Sequence, residues 1–74
     1  MGVMKIMDGT GDSKVMWDPS HEDEVDAAEA QFDALMAKGF TAFKVKKDGS
    51  KGTSIKKFDP KAGKLIMVPK MVGG

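Results

Sequence analysis

Between Ser20 and Gly39 the chain carries one stretch of helical periodicity, and the apolar runs elsewhere in its 74 residues are too short or too strictly alternating to make a second. Val25, Ala28, Phe32, Leu35 and Met36 recur at spacings of three, four, three and one, which puts them on one stripe, while Asp26, Glu29 and Asp33 face water. Ser20 can cap the helix by accepting from the amide of Asp23, and Glu22, Asp23 and Glu24 set negative charge on the positive end of the helix dipole. Lys38 suits the other end, and Gly39 can take the left-handed conformation that stops a helix. A helix is therefore predicted over residues 20–38. One apolar stripe cannot close a core on itself, so it must cover a sheet.

The strands for that sheet are legible on both sides. Val3 to Met7 is β-compatible, with Met4 and Ile6 on one face and Val3, Lys5 and Met7 on the other; turn formers at 8–12 lead to a return strand from Ser13 to Trp17, ended by Asp18-Pro19. After Gly39, Phe40 to Lys46 alternates, with Phe43 and Val45 expected on the half-buried face and Lys44 and Lys46 opposite. A polar loop at 47–52 precedes a strand over 54–58, and a Pro60 turn precedes Lys64 to Val68, whose continuous apolar content predicts a central strand. Pro69 ends it. The expected fold class is α+β, a ββαβββ two-layer fold with one helix on a mostly antiparallel sheet; residues 1–70 form one domain and 71–74 a flexible C-terminal tail. The three strands after the helix could also pair as a simple meander. Trp17 and the methionines on strands and helix (Met4, Met7, Met16, Met36, Met67) are expected in the core. A domain of this size buries only about 60% of its unfolded surface, so its stability is modest unless a partner adds to it.

Composition removes several functions. With no cysteine there are neither disulfides nor thiolate zinc sites, which is compatible with a reducing compartment and a cytoplasmic protein. No apolar run approaches the roughly 20 residues of a membrane span. The single histidine, His21, lies among Glu22, Asp23 and Glu24 and is expected to face solvent, and acid pairs such as Glu22 with Asp26 read as a solvated helix face. The 8–12 turn lacks the alternating acids of a calcium loop, and Gly9 to Lys14 lacks P-loop spacing. A noncatalytic protein without metal or cofactor is expected.

Charge is segregated instead. Residues 1–33 hold two lysines against nine acids, and residues 34–74 ten lysines against two, so halves of −7 and +8 sum to +1. Such a chain either neutralises itself in the fold or presents a dipolar surface to a protein partner. Lys44, Lys46 and Lys56, with Met71 and Val72 beyond Pro69, are the candidate partner-binding residues. The alternative is a small binding or assembly protein, phage-associated or a nonspecific binder of nucleic acid, that uses a Lys-rich sheet face or the acidic helix face. Absence of arginine and tyrosine argues against base reading or base stacking there.

The element order, together with Gly73-Gly74, resembles a ubiquitin-like β-grasp protein with a C-terminal Gly-Gly. The resemblance implies a modifier or interaction module whose terminal carboxylate a partner enzyme adenylates and passes to a thiol. Gly74 would be the reacting residue and Gly73 its slender approach, since glycine adds no side chain to a narrow channel.

Overall fold

The first two strands form the hairpin that their alternation demands. In the computed structural model, which describes residues 1–8 and 11–69, β1 (Gly2–Asp8) pairs antiparallel with β2 (Gly11–Trp17) from Gly2 opposite Trp17 to Asp8 opposite Gly11. Met4 and Ile6 are buried. The helix α1 (Glu22–Ala37) follows, then β3 (Thr41–Val45), β4 (Lys51–Ile55) and β5 (Lys64–Val68). Expectations placed on Met71, Val72, Gly73 and Gly74 lie outside the described residues.

The five strands form one sheet in the order β2-β1-β5-β3-β4. β5 runs parallel to β1, from Val3 beside Lys64 to Ile6 beside Met67, and antiparallel to β3, from Thr41 opposite Val68 to Lys44 opposite Leu65. Its apolar run is thus central, as predicted, and the last three strands do not form a meander. α1 covers one face of this sheet. Ala28, Phe32 and Leu35 join Met4, Ile6, Trp17, Ala42, Leu65 and Met67 in a single buried cluster. Fully burying a side chain the size of Phe32 contributes about 1.5–3 kcal/mol.

Trp17 is an anchor of that core. Its indole Nε1 donates to the Pro60 carbonyl at 2.9 Å, and its ring meets Phe58 edge to face at 4.9 Å, which in turn meets Phe32 at 5.7 Å. These contacts hold the loop between β4 and β5 against the core.

Four expectations are corrected. The helix starts two residues later than predicted: His21 occupies the cap position without a side-chain bond, because the Ser20 hydroxyl and amide both donate to the Asp18 carboxylate at 2.7 and 2.9 Å. Its C-terminal end does stop at Gly39, with φ of 98°. β4 begins at Lys51 rather than Ser54, since the turn at 46–50 is tight: the Lys46 amide donates to Ser50 O, the Gly49 amide to Lys46 O, and Gly49 has φ of 88°. β4 ends at Ile55, and Phe58 lies beyond it, half-buried and packed against the core. On β3 it is Ala42, fully buried, that faces the helix, so Phe43 and Val45 lie on the opposite face and are half-buried there. Met7 and Met16 share that face, 37% and 54% exposed, and are not core residues.

Candidate interaction face

With α1 on one side only, the second face of the sheet has no covering layer among the described residues, and strand periodicity decides what it presents. From the register, one row crosses the whole sheet: Lys14 opposite Lys5, Lys5 beside Ile66, Ile66 opposite Phe43, and Phe43 opposite Ser54. A second row sets Val3 between Met16 and Lys64, and further along β3 Val45 lies opposite Lys51. Val3, Phe43 and Ile66 are half-buried, so each keeps part of its apolar surface in water. Apolar side chains and lysines thus interleave, Lys5 and Lys64 on the inner strands β1 and β5 and Lys14 and Lys51 on the edge strands β2 and β4.

Among the described residues none of Lys5, Lys14, Lys51 and Lys64 forms an ion pair. Lys51 holds its ammonium 5.2 Å from the centroid of the Phe43 ring, a cation–π contact that also fixes both side chains to one face. The acid position that the register adds is Asp12, opposite Met7 at a corner.

The residues singled out in the sequence fall elsewhere. Lys44 shares the helix-side parity of Ala42 and pairs with Asp59 at 3.0 Å. That ammonium, and then the Lys61 amide, hold the Asp59 carboxyl below its ordinary range. Lys44 and Lys56 are brought together along an open groove of about 470 Å³ with Ile55, Lys57, Phe58 and Asp59. Lys46 is exposed at the end of β3 and does not reach that groove. Neither groove nor lysines belong to the open face. Lys51 and Lys64 come from the lysine-rich half in which a basic sheet face is expected, whereas Lys5 and Lys14 lie in the acidic half and only the register brings them there; the cue was Ala42, whose small side chain marks the side of β3 that a helix approaches.

Asp18, Ser20 and His21 are neighbours, but the hydroxyl donates to Asp18 while His21 Nδ1 lies 3.1 Å from Glu24 and 3.8 Å from Asp18. The histidine is therefore not placed to take the serine proton. Glu24, then Asp18, raise the His21 pKa above its ordinary value. Among the described residues no group of three His, Asp or Glu could hold a metal ion, and no helix is long and apolar enough to cross a membrane. A cleft of about 350 Å³ between Pro19, Val25 and Pro60 is bordered by Glu22 and Lys61.

Against known protein families, curated proteins and solved structures, the chain matches none.

Proposed function

We propose that this chain is a noncatalytic β-grasp interaction module of the ubiquitin-like kind, which binds protein partners through the open face of its sheet. The strand order β2-β1-β5-β3-β4, with β1 and β5 parallel and the last three strands not paired as a meander, supports the β-grasp reading. The observation that carries the binding reading is the pair of half-buried apolar residues Phe43 and Ile66 in one cross-strand row, with Val3 in the next, interleaved with Lys5, Lys14, Lys51 and Lys64. Water-facing apolar side chains set among charged ones mark interaction surfaces. Lysine without arginine supplies attraction and adaptable rim contacts rather than the fixed fork that reads phosphates or bases.

Immobilised protein should retain partner proteins that the Ile66→Glu variant loses and that a variant in the exposed 46–50 turn, Lys47→Ala, keeps. Retention unaffected by Ile66→Glu would remove the sheet face from the reading. A single-stranded oligonucleotide held with a steep salt dependence would replace protein by phosphate as the ligand. In the modifier form of the reading, Gly74 supplies the reacting carboxylate. A chain ending at Gly74 should then form a thioester with an activating enzyme and ATP, and deletion of Gly74 should abolish it.

A further inference from the structure

We infer that the open sheet face receives the acidic outer side of α1 from a second copy of this chain, so that copies associate head to tail. This rests on the reading of that face as a binding surface and names its occupant. The receiving side is Phe43 and Ile66 interleaved with Lys5, Lys14, Lys51 and Lys64, with no ion pair to these lysines among the described residues. The complementary side is on the same chain. Asp26, Glu29 and Asp33 are exposed, follow one another at spacings of three and four along α1, and have no ion-pair partner among the described residues. Beside them Ala27, Ala30 and Ala34 are exposed and short, so a sheet can approach the helix backbone closely.

Charge decides between the possible pairings. Two sheet faces brought together would oppose lysine to lysine, and two helices would oppose acid to acid; only helix on sheet brings opposite signs together. The net charge of +1 leaves no overall repulsion between copies to resist it. Because α1 and the open face lie on opposite sides of one sheet, each contact leaves one acidic and one basic face free. The association is heterologous and continues beyond two copies.

Sedimentation velocity on the full chain over a dilution series tests this at low salt and at high salt. The mass average should exceed the 7.9 kDa monomer, rise with concentration past the dimer, and fall back to monomer between about 0.01 M and about 1 M salt, where the screening length drops from ~30 to ~3 Å. The double variants Lys5→Glu/Lys64→Glu and Asp26→Lys/Glu29→Lys should each weaken association by at least about tenfold, and an equimolar mixture of the two should restore it. All of these positions are on the surface of elements whose folding circular dichroism and Trp17 fluorescence report. Monomer at every concentration, a dimer plateau untouched by either double variant, or a mixture that stays monomeric would each overturn the inference. If the protein is monomeric while Ile66→Glu still loses retained partners, the binding face stands and only this occupant falls; if Ile66→Glu changes nothing, the face itself falls.

Discussion

Replacing Gly2 by alanine tests how tightly the core is closed at the end of the β1–β2 hairpin. Gly2 lies directly opposite Trp17, and a Cβ built on it would fall on Cε2 and Cζ2 of the indole, far inside contact distance, and 2.7 Å from Nε1. The ring has nowhere to retreat. It is fully buried, bonded to Pro60 and packed on Phe58, so moving it disturbs two further residues. Overpacking of this kind costs about 1–3 kcal/mol, and losing the indole hydrogen bond about 1 kcal/mol more. Peeling Gly2 away from the ladder is the cheaper escape and leaves a cost of about 1 kcal/mol from the lost pairing. The fold takes the cheaper route, so the expected destabilisation is about 1 kcal/mol, out of a total of roughly 4–11 kcal/mol for a domain of this length. Urea unfolding followed by the single tryptophan, with no tyrosine to interfere, should show the midpoint fall by about 1 M. Gly63→Ala is the control: nothing lies within 4 Å of its built Cβ, so its midpoint should stay within a few tenths of a molar. Equal midpoints for Gly2→Ala and Gly63→Ala would refute the packing argument.

Two further outcomes follow from the corrected geometry. Met67→Ala should cost about 2–5 kcal/mol because the side chain is fully buried, whereas Phe43→Thr, one strand away on the open face, should cost less than about 1 kcal/mol; similar costs in chemical denaturation would return Phe43 to the core. An NMR titration should place the His21 pKa above the ordinary histidine value, and Glu24→Gln should lower it. A histidine raised on folding stabilises the native state fully below its unfolded pKa and ceases to as pH rises through the folded one, so Glu24→Gln should narrow the stability difference between mildly acidic and neutral pH. An unmoved titration would show that Glu24 does not hold the ring.

The elements most legible in the sequence were those whose pattern had a single physical solution. An unbroken apolar strand such as Lys64 to Val68 needs cover on both edges, and the structure puts it between β1 and β3. The stripe of Ala28, Phe32 and Leu35 admits one inward face, and all three are buried. Alternation on β3 was equally clear, yet it does not say which of its two faces is inward. Phe43 and Val45 are larger than Ala42, but the layer beneath the helix already holds Trp17, Phe32, Met4 and Met67, and the small residue fits there. The same ambiguity hid the candidate face, because lysines from both charge halves meet on it only through the cross-strand register of β1 with β5. At the helix start, Ser20 had two available partners, and the nearby Asp18 carboxylate took its hydroxyl.

The place of β5 in the sheet has a kinetic side. The hairpins β1–β2 and β3–β4 have no ladder between them; each is hydrogen-bonded to β5, whose pairing with β1 joins residues some sixty positions apart. During synthesis this strand is the last of the five to leave the ribosome. Until then the two hairpins are separate pieces, with the inner edges of β1 and β3 both unpaired. Closing so long a loop is entropically slow, so the pairing of β5 with β1 is expected to be the late step of folding. A fragment that stops before Lys64 should therefore not be a weakened version of the domain but two hairpins awaiting a strand, which a peptide spanning residues 64–68 could supply in trans.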